Sequence, residues 1–160
     1  MDQIDKIVDQ WREQRPDIDT RPMALIGRLQ RISIHLASGM GRNFAKYDLN
    51  GASFDVLATL RRSGAPYALS PGDLMASAMI TSGTMTNRID QLEKRGMVAR
   101  TSNPKDGRGF LVSLTEKGFE LVDEVVTAHV DAQASLIEGL NEKERVALNK
   151  LLAKFLGSFE

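Results

Sequence analysis

Ser70-Pro71-Gly72-Asp73-Leu74 and the later stretch Ser82-Gly83-Thr84-Met85-Thr86-Asn87-Arg88-Ile89-Asp90-Gln91-Leu92-Glu93-Lys94-Arg95-Gly96 decide how this chain folds. The first opens a helix in three ways. Ser70 is an N-cap, Pro71 stands at the first helical position where a missing N–H costs nothing, and Asp73 sets a carboxylate against the positive end of the dipole. That helix is expected from about Pro71 to Met79. In the second stretch Met85, Ile89 and Leu92 recur at i, i+4 and i+7 as one inward face, and Gly96 is placed to end the helix at C′. Ile80-Thr81-Ser82-Gly83 then reads as a tight turn. Two short helices so joined cross steeply, as a helix-turn-helix does.

Past Gly96, Val98 to Ser102 and Phe110 to Leu114 are strand-like runs joined by Asn103-Pro104-Lys105-Asp106-Gly107-Arg108-Gly109. They read as a hairpin with a polar, glycine-bearing tip. Thr115 caps a long helix with the stripe Val122, Val126, His129, Gln133, Leu136 and Leu140. Asn141-Glu142-Lys143-Glu144 opens a last helix carrying Leu148, Leu151, Leu152 and Phe155. Before Ser70, Ile4, Ile7, Val8 and Trp11 mark a short first helix. Thr20 or Asp19 caps a second with Pro22 in its first turn and the stripe Leu25, Leu29, Ile32 and Leu36, bending around Gly39–Gly41 and ending near Lys46. Asn50 caps a third with Phe54, Val56, Leu57 and Leu60, followed by a short extended stretch at Tyr67–Leu69. The order is helix-helix-helix-strand-helix-helix-hairpin-helix-helix.

Composition fits this reading. The 160 residues are 42% hydrophobic and 26% charged, ordinary values for a globular chain. No apolar run approaches the roughly 18–20 residues that span a bilayer, and the acidic start is unlike a signal peptide, so a cytoplasmic location is expected. Without cysteine there is no disulfide, thiolate metal site or thiol redox sensor. His35 and His129 lack partners at ligand spacing and read as helix residues. Net charge is zero, yet residues 80–110 hold six basic against three acidic residues, while residues 111–160 hold five basic and nine acidic. A basic segment beside an acidic tail is expected where one lobe faces phosphate and another does not. No nucleophile with its base, phosphate loop or metal spacing appears, and Asp90, Glu93 and Glu124 read as surface carboxylates without an evident partner. No catalytic residue, cofactor or metal is expected.

Opposite Met85, Ile89 and Leu92, the second helix of the motif shows Ser82, Thr84, Thr86, Asn87 and Arg88. Asn can pair with adenine and Arg with guanine, and Ser or Thr can reach base edges or phosphates. A solvated polar face is the other reading of the same residues. Lys105 and Arg108 at the hairpin tip can reach an adjacent minor groove, whose negative potential favours arginine, with Asp106 bracing Arg108 from within. An ordinary exposed hairpin is the alternative there. Helices one, six and seven carry more apolar surface than the winged motif can bury, which a symmetric partner would cover.

These motifs, together with Asp106-Gly107-Arg108 and Leu114-Thr115-Glu116-Lys117-Gly118, resemble the signature of the MarR (multiple-antibiotic-resistance regulator) family, and the helix order matches over nearly the whole chain. The resemblance implies a triangular dimer with the first, sixth and seventh helices intertwined. Two winged lobes straddle a pseudo-palindrome, with Arg108 in the minor groove and Asp106 bracing it. The Trp11-bearing first helix and the phrase Met23–Arg31 look like the urate-responsive PecS/HucR-like branch. In that branch the ligand residues map onto Trp11, Asp55 and Arg100, with Arg88 linking the site to the recognition helix. Ser63 stands where the branch usually has Asn, which favours another planar anion or phenol over urate. Trp11 can equally be a dimer-interface anchor, and Asp55 with Arg100 a plain salt bridge.

The expected protein is mainly α with a small β-wing: N-terminal helices at 1–46 for dimerisation and the ligand cleft, a winged helix-turn-helix at 47–115, and C-terminal dimerisation helices at 116–160. Its expected partners are double-stranded DNA, a second copy of itself and a planar aromatic anion, and its expected role is a ligand-responsive repressor, not an enzyme. The competing function is a winged-helix interaction scaffold that does not bind DNA.

Overall fold

The computed structural model describes residues 1–79, 82–103 and 109–160, with residues 82–84 described by their backbone alone. It divides into two compact units, Met1–Gly39 and Met40–Glu160. No helix among the described residues is long and apolar enough to cross a membrane.

In the first unit, α1 (Gln3–Gln14) starts at a reciprocal capping box between Asp2 and Asp5 and buries Ile4 and Val8. Arg28 of α2 (Arg21–Ala45) ties down that start, its Nε 2.8 Å from Asp2 while its Nη2 pairs with Asp5. Both candidate caps of α2 take part. The Thr20 carbonyl accepts from Ala24 N, whereas the side-chain acceptor is Asp19, 3.0 Å from Arg21 N. Bonding to the Arg21 side chain lowers the Asp19 pKa to about 2. The bend expected at Gly39–Gly41 does not interrupt the helix. A lone glycine weakens a helix by about 1 kcal/mol, which a long helix tolerates. Half of the expected α2 stripe is open to solvent in the single chain, with Leu25 59% and Ile32 52% exposed, while Leu29 and Leu36 are partly buried.

The second unit is built around α3 (Gly51–Arg62), whose Val56, Leu57 and Leu60 are fully buried. The Asn50 carboxamide accepts from Ser53 N at 2.9 Å and fixes where α3 begins. Leu74 of α4 (Pro71–Ser77), the inward face of α5 (Ser82–Lys94) and Val122 and Val125 of α6 (Glu116–Leu136) close on it. The hairpin strands β2 (Val98–Ser102) and β3 (Phe110–Leu114) pair antiparallel. A two-residue strand, β1 (Ala68–Leu69), adds to the far side of β3, giving the order β1-β3-β2.

Two junctions hold the lobe in register. Gly96, at φ +70°, ends α5 in a Schellman motif: Met97 N bonds to Leu92 O and Gly96 N to Glu93 O, both at 2.9 Å. Thr115 then caps α6, its hydroxyl accepting from Gly118 N and donating to Gly96 O. Gly118 packs so tightly against the Met97 backbone that a Cβ there would lie 1.9 Å from the Met97 carbonyl oxygen. That close approach explains the glycine in Leu114-Thr115-Glu116-Lys117-Gly118.

α6 stops at Leu136 and not at Leu140, because the chain turns there and Leu140 N bonds to Ile137 O. α7 (Glu142–Leu156) begins with the expected capping box and buries none of its side chains in the single chain.

Candidate nucleic-acid interface

α3 grips the end of α4, where the chain turns toward α5. The Asp55 carboxylate accepts from Met79 N at 2.6 Å, and the Arg62 guanidinium donates to the Ser77 carbonyl. At the other end of α4, Ser70 Oγ accepts from Asp73 N at 3.1 Å. The helix is therefore fixed at both ends by side chains that the sequence supplies locally and from α3. The turn expected over 80–83 is not found at Ser82 and Gly83, which already belong to α5, and α4 ends at Ser77 and not at Met79; residues 80 and 81 lie outside the described residues.

On α5, Met85, Ile89 and Leu92 are all at most 3% exposed and anchor the helix to α3 and the sheet. Thr86 and Asn87 face solvent. Arg88 is half-buried: its Nη1 donates to Gln91 Oε1 at 2.7 Å, and its Nε is buried without a hydrogen-bond partner among the described residues. Ser82 and Thr84 sit in the first turn, the end of a helix whose dipole favours an anion; their side chains lie outside the described residues. Gln91 and Lys94 are exposed as well and were not among the expected contacts. Their spacing from Asn87, at i+4 and i+7, puts the three on one line, a signal the helical period carries.

The wing places Arg100 of β2 opposite Val112 of β3. Arg100 pairs with two carboxylates of α5, Nη2 with Asp90 and Nη1 with Glu93, so these acids are not the partnerless surface residues the sequence suggested. Its guanidinium carbon lies 5.2 Å from the Phe110 ring centroid. The hydrogen bond to Asp90, reinforced by the charge of Glu93, raises the Arg100 pKa. The direct Asp55–Arg100 ion pair left open by the sequence is not formed, because each residue has another partner. Lys105, Asp106 and Arg108, the expected minor-groove group, lie outside the described residues.

Trp11, at the end of α1, is 43% exposed. Ser63 Oγ donates to Leu60 O at 2.7 Å, so that hydroxyl closes the end of α3. His129 stacks on Phe44 at 5.0 Å and lies 4.9 Å from Phe54; burial lowers its pKa. A cleft of about 550 Å³ lies by the C-terminal end of α5, lined by Asp48, Asn50, Ser53, Gln91, Lys94 and Arg95 among others; neither Asp55 nor Arg100 lines it.

A family model described as the MarR family matches residues 47–109. The transcriptional regulator PecS of Dickeya dadantii (strain 3937) is 40% identical over 152 residues, 95% of this chain and 92% of PecS. The transcriptional repressor MprA of Escherichia coli (strain K12) is 31% identical over 137 residues, 82% of this chain and 77% of MprA. Among solved structures, Bordetella bronchiseptica BpsR, whose DNA binding is regulated by 6-hydroxynicotinic acid, matches with a TM-score of 0.72 at 32% identity, over 81% of this chain and 90% of BpsR. A mutant of E. coli MarR complexed with operator DNA matches with a TM-score of 0.73 at 26% identity, over 91% of this chain and 97% of that one.

Proposed function

The chain belongs to the MarR family, and from that premise we propose that it is a repressor that binds a pseudo-palindromic operator as a homodimer and is released by a planar aromatic anion. It is a DNA-binding transcriptional regulator and not an enzyme, as the family is. DNA binding being a family property, the scaffold alternative is dropped. The observation that carries the reading is the two-sided α5, with Met85, Ile89 and Leu92 locked into the core while Thr86 and Asn87 are offered outward. A recognition helix needs that division: a rigid inner face to hold position and a polar outer face to read base edges.

The proposed assembly assigns residues 1–46 and 116–160 to dimerisation and 47–115 to the DNA lobe. Support for a partner copy lies in α7, where Leu151 and Leu156 are 66% and 57% exposed on a single chain. Faces that apolar are normally covered. For base and phosphate contacts we assign Ser82, Thr84, Thr86, Asn87 and Arg88, with Lys105 and Arg108 of the wing and Asp106 as brace.

For the effector we assign Trp11, Asp55 and Arg100. An indole face stacks a flat ring and a guanidinium pairs with a carboxylate or enolate. BpsR responds to an aromatic acid of this class. The Asp55–Met79 hydrogen bond supports a route from effector to helix-turn-helix, since an anion that pushes Asp55 aside also frees the end of α4. An effector that binds the DNA-incompetent arrangement more tightly lowers DNA affinity by the same factor.

The test uses a duplex enriched from a random library. Urate, xanthine, salicylate and 6-hydroxynicotinate are each titrated while Trp11 fluorescence and the DNA complex are followed together. Saturable quenching with DNA release over one concentration range supports the reading. DNA release with unchanged Trp11 fluorescence removes Trp11 from the effector set, and retention of DNA with all four acids removes this effector class.

A further inference from the structure

On α5 the exposed line Asn87, Gln91 and Lys94 is flanked by a second line, Thr86, Asp90 and Glu93, at i, i+4 and i+7. The recognition helix therefore carries two carboxylates beside the face offered to DNA. Their side chains are 47% and 36% exposed, so they are not hidden from a phosphate backbone. Two such charges oppose binding to a polyanion, and water alone screens them incompletely at short range. Arg100 meets both. It arrives from β2, spends one guanidinium nitrogen on each acid, and is backed by the Phe110 ring.

We propose that Arg100 is a positioning residue for DNA binding that masks Asp90 and Glu93 on the recognition helix. It carries one positive charge against two negative ones and holds both carboxylates toward the wing, away from the Asn87 line. A purely structural tie between wing and helix would also use this pairing, but the two roles differ in what happens when all three charges are removed. If the pairing is only a tie, losing either side is harmful and losing both does not help. If it is a mask, the harm comes from bare carboxylates, and removing them restores binding.

The mask also gives an anionic effector a way to act, a consequence that rests on the effector reading above. The Arg100 side chain is 30% exposed, so an acid can approach it from solvent. An acid that takes the guanidinium bares Asp90 and Glu93, and repulsion then works against the operator.

The experiment measures binding to the library-selected duplex for the full chain and three variants: Arg100→Gln, Asp90→Asn with Glu93→Gln, and the combination of all three. Circular dichroism and thermal melting confirm that each is folded. The mask predicts that Arg100→Gln weakens binding about five- to tenfold, the scale of one surface charge near a phosphate, and that the deficit shrinks as salt rises from about 50 to 300 mM. The paired acid variant binds at least as well as the wild type, and the triple variant recovers most of the loss. Wild-type affinity in Arg100→Gln, or a folded triple variant no better than Arg100→Gln, overturns the mask. A second arm adds 6-hydroxynicotinate and urate to the wild type and the paired acid variant. Release from the wild type but not from the variant supports the effector consequence, and equal release from both overturns it. No release from the wild type counts against the effector reading alone, while the rescue still decides the mask.

Discussion

The carboxylate of Asp55, on α3, holds the backbone N–H of Met79, just past the C-terminal end of α4, at 2.6 Å. The residues are 24 positions apart, and their contact joins the central helix of the lobe to the turn of the helix-turn-helix. A carboxylate bound to a main-chain amide is a directional restraint on the segment that follows α4. Asp55→Ala is expected to speed hydrogen exchange at the Met79 amide and to weaken operator binding by about 1.5 kcal/mol, the low end for a bond to a charged acceptor. Unchanged exchange at that amide would remove Asp55 from this role.

Asn87 and Lys94 share one line on α5 but should behave differently. Asn87→Ala is expected to cost about 1–3 kcal/mol at the selected operator and to relax preference at one base pair per half-site. Lys94→Ala should weaken all sequences alike and reduce the salt slope by about one unit. Binding to a panel of single-base operator variants over a salt series separates the two. Equal losses on every sequence for Asn87→Ala would make it a backbone contact.

Gly118 cannot accept a side chain without moving the Met97 backbone. Gly118→Ala should destabilise the folded protein by about 1–3 kcal/mol, the usual range for overpacking. Urea unfolding at fixed protein concentration measures it, because association would shift the apparent value. Wild-type stability would mean that the start of α6 can shift freely from β2.

His129 makes stability fall on the acid side of neutrality. Burial against Phe44 and Phe54 sets its folded pKa below the ordinary 6.5, so the folded state favours the neutral ring. Its contribution is whole above about pH 6.5 and is lost as pH falls toward the folded value. Melting temperature against pH should slope downward below that point, and His129→Phe should flatten the slope. An identical slope in the variant would assign it to other groups.

Leu151, 66% exposed on α7, tests the proposed dimer. Leu151→Asp should shift the protein from dimer to monomer in light scattering at micromolar concentration and reduce operator affinity with it. A wild-type protein that is monomeric would overturn the assembly.

Much of the lobe was legible because its signals are local. Ser70, Gly96, Thr115 and Asn141 each act within a few residues of themselves, and each bounds a helix where the sequence placed it. What escaped was non-local. The extended stretch expected at Tyr67–Leu69 is present as β1, but nothing within Ala68–Leu69 announces its pairing with Val112 and Ser113. Likewise Arg100 had several acids within plausible reach, and only the fold selects Asp90 and Glu93 over Asp55. Leu140 continued the apolar period of α6, yet the chain had already turned, since a hydrophobic repeat does not encode where a helix stops. Gln91 and Lys94 follow from the same helical period as Met85, Ile89 and Leu92, because they share the exposed line that Asn87 begins.

The central claim is sequence-specific DNA recognition by α5 within a two-fold assembly. Selection from a random duplex library, followed by sequencing of the bound fraction, tests it most directly. The account predicts an inverted repeat whose half-site centres lie about 10 bp apart, with enrichment lost in Asn87→Ala. Enrichment of a single half-site without a repeat would contradict the two-fold assembly, and no enrichment over the starting library would contradict recognition itself.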